Sequence, residues 1–132
     1  MMQKDKQGSI QPTAKQQTGS QGEEIAQKHL CQQGYRVIET NFFCKYGEID
    51  LIAQKDDELF FVEIRRRIGQ EYGSALESAS IKKQQKMRRC AQFYLNSSPE
   101  WHETPAHLSF LAIDDLPSGE QFIEFIKDVN DA

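Results

Sequence analysis

Only four prolines and three cysteines occur in the 132 residues, and no apolar run approaches the roughly 18 residues that cross a bilayer. A membrane-spanning helix is therefore not expected. Cys31, Cys44 and Cys90 are odd in number, widely spaced and free of any C-x-x-C pair, and His29, His102 and His107 are equally scattered. Neither a disulfide framework nor a zinc site follows from such spacing, and the thiols are expected to stay reduced. The first twenty residues contain lysines but no apolar segment, so they do not read as a secretory signal. The protein is accordingly expected in the cytoplasm. An excess of positive charge is also missing: 16 Lys and Arg stand against 20 Asp and Glu, a net charge of -4. That balance excludes a protein that coats nucleic acid by bulk electrostatics.

What remains is an ordinary soluble composition, 38% apolar and 27% charged, sufficient for one domain with a packed core. Residues 1–19 are mostly Gln, Lys, Ser and Thr and read as a disordered polar tail, leaving residues 20–132 for a single α/β domain. Ser20-Gln21-Gly22-Glu23 has the form of a capping box, with Ile25, Ala26, His29 and Leu30 following at helical spacing, which predicts a helix from Ser20 to Gly34. Tyr35 to Glu39 is a short β-prone run, and Thr40 to Gly47 reads as a connection or a second strand end. Two strand-like runs, Glu48–Gln54 and Glu58–Arg65, flank the polar turn Lys55-Asp56-Asp57 and predict an antiparallel hairpin. Arg67 to Ser80 reads as a loop. A helix is expected over 81–96, with Met87, Cys90, Ala91, Tyr94 and Leu95 as its buried stripe. Strands over 107–113 and 121–129 complete the chain, joined by a turn at Leu116 to Glu120.

The hairpin carries the chemistry. A two-residue loop at Asp56-Asp57 sets Lys55 opposite Glu58 and, counting back, Asp50 opposite Glu63 and Glu48 opposite Arg65. Alternation then turns all four side chains to one face. Directly opposed Cβ atoms lie about 4.5–5.5 Å apart, a spacing at which two carboxylates can share one divalent ion. Like charges so placed destabilise a sheet, and a cation is one reason for them to persist. Ordinary structural roles stay open at this point: a Glu48–Arg65 ion pair, solvated surface charges at Asp50 and Glu63, and Glu23 serving only its capping box. The charge distribution adds a second hint. Between Arg65 and Arg89 eight basic residues face only Glu71 and Glu77. Lys82, Lys86 and Arg89 share one helical face suited to a phosphate backbone, and Lys83 falls on the stripe that faces the sheet.

Gly22-Glu23, Gly34-Tyr35, Asn41, Gly47-Glu48-Ile49-Asp50-Leu51-Ile52, Phe61-Val62-Glu63, Tyr72-Gly73, Lys83 and Ala91-Gln92-Phe93-Tyr94-Leu95 together resemble the YraN family of predicted endonucleases. That family is similar to archaeal Holliday junction resolvases, within the PD-(D/E)-x-K or restriction-endonuclease-like superfamily. The resemblance, over residues 22–113, implies a mixed four- or five-stranded sheet with flanking helices. It also implies Mg²⁺ or Mn²⁺ as cofactor and cleavage of DNA, branched or structured DNA included. The family's helix acid is matched by Glu23, its hairpin Asp by Asp50 and the acid of its E-x-K pair by Glu63, which makes these three the implied metal ligands.

Two positions depart from the pattern. The motif lysine is Arg65, whose planar fork suits a phosphate clamp rather than a base, and Lys83 is a candidate replacement cation. The family's R-F-D strand motif reads His107-Leu108-Ser109. The site expected to act is thus Glu23, Asp50, Glu63 and Arg65, with Lys82, Lys83, Lys86 and Arg89 meeting nucleic acid. A catalytically impaired nucleic-acid-binding module and a protein-interaction domain, including one that pairs with a second copy as a homodimer, are the alternatives.

Overall fold

The computed structural model describes residues 14–69 and 81–129, with side chains from residue 21 onward. Helix α1 spans Ala14–Gln32, followed by strands β1 (Arg36–Cys44), β2 (Gly47–Lys55) and β3 (Glu58–Ile68). Helix α2 (Ile81–Asn96) and a 3₁₀ turn at Pro99–Trp101 lead to β4 (Ala106–Asp115) and β5 (Gln121–Ile126). The five strands lie in sequence order in one sheet, antiparallel except for the parallel β3–β4 pair. This is the expected α/β class: a mixed sheet containing a hairpin and flanked by helices.

Two apolar clusters hold the layers together. On one face Ile49, Ile52, Phe61, Met87, Cys90 and Tyr94 pack α2 on the sheet; on the other Ala26, Leu30, Leu51, Val62, Leu111 and Ile113 pack α1. Burying each large apolar side chain stabilises the fold by about 1.5–3 kcal/mol. The stripe read from the α2 sequence is the observed one, with Met87, Cys90, Ala91 and Tyr94 buried.

Several boundaries differ from expectation. Helix α1 begins at Ala14 rather than Ser20, so Ser20 is interior and the S-x-x-E tetrad does not cap the helix. Gly34 does end it: at φ +93° it adopts a conformation that other residues rarely take, while Tyr35 N–H reaches back to the Leu30 carbonyl. Strand β1 runs on to Cys44, through the stretch read as a connection. Strand β3 continues to Ile68, so Arg67 and Ile68 belong to the sheet; of the remaining expected loop, residues 70–80 lie outside the described residues. The hairpin has the anticipated register, Lys55 opposite Glu58 through to Leu51 opposite Val62. Asp56 and Asp57 both have positive φ, 53° and 62°, as a two-residue type I′ loop requires.

Candidate active site

The hairpin strands part company at Asp50. Its carboxylate Oδ2 accepts the backbone N–H of Ile64 at 2.8 Å, a side chain standing where a strand would offer a carbonyl. Alternation fails at the same point, since Ile49 packs in the α2 cluster and Leu51 in the α1 cluster, although ideal pleating puts residues two apart on one face. The adjoining strand is irregular here as well. Thr40–Leu51 and Phe42–Ile49 are paired, and the residue between them on β1, Asn41, has φ +54°, a left-handed conformation that Asn tolerates better than most residues. The four hairpin residues therefore do not share a simple face: Asp50 lies toward the plane between β2 and β3, and Glu63 points at α2.

Glu63 is buried, 4% exposed, and is met by two cations. Lys83 Nζ of α2 lies 3.1 Å from its Oε2, and Arg65 Nε lies 3.4 Å from the same oxygen. The ion pair of Arg65 is thus with Glu63 rather than with Glu48. Its Nε is buried and makes no hydrogen bond, which leaves a charged donor poorly satisfied beside the carboxylates. Glu48 is instead a neighbour of Asp50. Burial, then the Glu63 charge, push the Asp50 carboxyl up to about 7; the Ile64 N–H works against this, and Glu48 adds to it. Burial and a neighbouring negative charge both disfavour the ionised form of a carboxyl, and Asp50 meets both.

Glu23 sits on α1 at the point where the helix touches β3. A methyl added at neighbouring Gly22 would lie 3.7 Å from Arg66 Cδ and 3.8 Å from Ile64 Cγ2. Its Oε2 accepts a hydrogen bond from Asn41 Nδ2 at 2.8 Å. Since Asn41 stands opposite Asp50, that bond ties Glu23 to the same place in the sheet. Among the described residues, however, no three His, Cys, Asp or Glu side chains gather at metal-ligand spacing, so Glu23, Asp50 and Glu63 do not form one group. The Asp50–Glu63 pair alone suits a hard cation such as Mg²⁺, which commonly takes one or two carboxylates and keeps its remaining waters.

Beside the pair opens a cavity of about 550 Å³ lined by Phe43, Gly47, Glu48, Lys82, Lys83 and Lys86 together with Cys44 and Met87. Arg89 is exposed on α2 and does not line it. At its edge the Cys44 and Cys90 thiols are 3.0 Å apart, and burial, then the Cys44 contact, push Cys90 up to about 12. Ser109, in the place of the family acid, is fully buried and donates to the Lys127 carbonyl at 2.6 Å. His107 bridges Asp128 at 2.8 Å and Glu58 at 2.6 Å, away from Asp50 at the far end of the hairpin.

The roles of Asn41 and Glu48 at the carboxylates, and of Phe43 at the cavity, escaped the residue-by-residue reading. Asn41 lies in the stretch that reads as a connection, because Asn is depleted from strands, and nothing in its spacing marks it as a partner of Glu23.

A mixed sheet whose parted hairpin holds a repelling carboxylate pair against a lysine and an arginine defines the chain as an α/β protein with a candidate cation-binding site. The chain belongs to the uncharacterised protein family UPF0102, which is the YraN family, and the family's model matches residues 22–114. A UPF0102 protein of Pseudomonas syringae pv. syringae is 35% identical over 93% of this chain and all of its own length. One of Alcanivorax borkumensis is 38% identical over 83% of this chain and 86% of the relative, and one of Caldanaerobacter subterraneus 44% identical over 64% and 69%. Among solved structures, Pyrococcus furiosus SfsA in complex with Ca²⁺ is similar over 85% of this chain and 64% of that chain, with 14% identity and a TM-score of 0.41. A likeness that loose carries no argument about the site. No helix among the described residues is long and apolar enough to cross a membrane.

Proposed function

We propose that the protein is a metal-dependent endonuclease of the restriction-endonuclease-like kind, acting on DNA, branched or structured DNA included. The observation that carries this reading is the Asp50–Glu63 pair: two acids from neighbouring strands at a break in the ladder, with Asp50 raised to about 7 by burial and by its neighbour. Asp50 and Glu63 would hold Mg²⁺ or Mn²⁺, which when bound supplies a polarised water and neutralises charge on the scissile phosphate. Lys83 fills the office left by the missing motif lysine, because its ammonium reaches Glu63 from α2 although it is distant in sequence. Arg65 presents a rigid fork to phosphate oxygens and keeps Glu63 oriented. Lys82 and Lys86 attract the backbone of the strand that enters, and Glu23 with Asn41 steadies β1 against Asp50.

Arg65 favours a second reading, a DNA-binding module that has lost turnover, since Arg cannot exchange a proton as Lys can. One assay separates the two. Linear, flapped and four-way DNA substrates are incubated with Mg²⁺ or Mn²⁺: the first reading predicts cleavage that Asp50→Ala abolishes and Lys83→Ala lowers by about 10²-fold. Salt-sensitive binding without cleavage, together with cleavage appearing in Arg65→Lys, would instead establish the second.

A further inference from the structure

The cavity beside the carboxylate pair has two walls of different chemistry. Along α2, Lys82, Lys83 and Lys86 present three ammonium groups against the single carboxylate of Glu48 at the inner edge. At the end of β1, Phe43 also lines the cavity and is 65% exposed. Tyr46 and Phe93, each 39% exposed with ring centroids 6.4 Å apart, lie outside its lining, so Phe43 is the one ring that the cavity presents among the described residues. Glu48 and Lys83 belong both to this cavity and to the Asp50–Glu63 site, so whatever fills the cavity lies next to the carboxylates.

Aromatic faces facing a cationic track are the arrangement that binds unpaired strands, because a free base stacks on the ring while lysines neutralise its phosphates. Continuous duplex does not use such a ring, since its base faces are already covered by their neighbours. A volume of about 550 Å³ falls within the range of small-ligand pockets, hence of a nucleotide-sized group. We propose that this cavity binds an unpaired nucleotide of DNA, stacked on Phe43, and that Phe43 is the residue that selects DNA carrying unpaired bases over intact duplex. The inference rests on the nuclease-fold reading above and adds to it a residue that determines specificity.

The test uses the full-length chain and three fluorescein-labelled oligonucleotides: a single strand, a blunt duplex and a duplex with a single-stranded tail, titrated in low salt with anisotropy as readout. Phe43→Ala is expected to weaken binding of the single strand and the tailed duplex about tenfold and leave the blunt duplex unchanged. Lys82→Ala with Lys86→Ala is expected to weaken all three and to flatten their salt dependence. Phe43→Trp provides an independent signal, with indole emission quenched by the single strand but not by the blunt duplex. If Phe43→Ala changes nothing, or weakens all probes equally while the lysine variants still lose affinity, the stacking role is overturned and the broader reading stands. If the unaltered protein binds none of the probes, both fall. Should sedimentation show dimers that Phe43→Ala dissociates, with DNA affinity unaffected, the ring belongs to an interface between copies and the inference is overturned.

Discussion

Asp50 is the residue at which local structure and chemistry are least separable. Its carboxylate replaces a ladder acceptor for Ile64 N–H and stands next to Glu63, with burial and that neighbour raising it to about 7. A group raised in the folded state stabilises the fold fully below its unfolded value, near pH 4, and this contribution is lost as pH rises through the folded value. Without divalent ions the protein is expected to lose stability between pH 4 and pH 8 through this group, by at most about 4 kcal/mol, and by less because the side chain keeps some contact with water. Asp50→Asn preserves an acceptor for Ile64 and removes the charge. Its urea midpoint should gain steadily on that of the unaltered protein from pH 4 to pH 8; a constant offset across that range would contradict the repulsion argued here.

At the scale of elements, the hairpin was readable and its neighbours were less so. Asp56 and Asp57 fixed the loop length, and every partner down to Leu51 and Val62 followed. Strand β1 was blurred because Asn41 takes a left-handed conformation mid-strand and interrupts the two-residue alternation by which strands are recognised. Helix α1 begins earlier than its sequence spacing predicts, because Ser20 and Glu23 imitate a cap while the helix runs through them. The other end of the hairpin is held by His107, stacked on Phe60 at a centroid separation of 5.0 Å and bridging Glu58 and Asp128. Burial lowers its basicity, but the bonds to Asp128 and Glu58 outweigh this, so the folded value lies above the ordinary histidine value. The clamp therefore contributes fully below about pH 6.5 and fades as pH rises through the folded value. His107→Gln should cost about 1–2 kcal/mol at pH 6 and clearly less at pH 9, measured by denaturant unfolding. An equal cost at both would show that packing on Phe60, rather than charge, holds this end.

Across the whole molecule the candidate site is a product of topology. Strands β3 and β4 are parallel, so the chain must cross over between them, and α2 lies in that crossover, packed on the face from which Glu63 emerges. Lys83 thereby arrives 3.1 Å from an acid twenty positions earlier, and Cys90 arrives beside Cys44. The hairpin register holds as far as Leu51 opposite Val62 and so leaves Asp50 and Glu63 as neighbours beyond the last pair rather than directly opposed, and the α2 stripe predicted that Lys83 faces the sheet, but not which acid it would meet. A net charge of -4 likewise hides a cavity walled by three lysines. The central claim is that the two acids share a divalent cation, and calorimetric titration of Mn²⁺ at pH 7 in two buffers of different ionisation enthalpy tests it directly. The account predicts one binding event whose heat differs between the buffers, because the cation displaces a proton from Asp50, and whose signal disappears in Asp50→Asn. Binding of equal strength in that variant, or no binding in the unaltered protein, would contradict it.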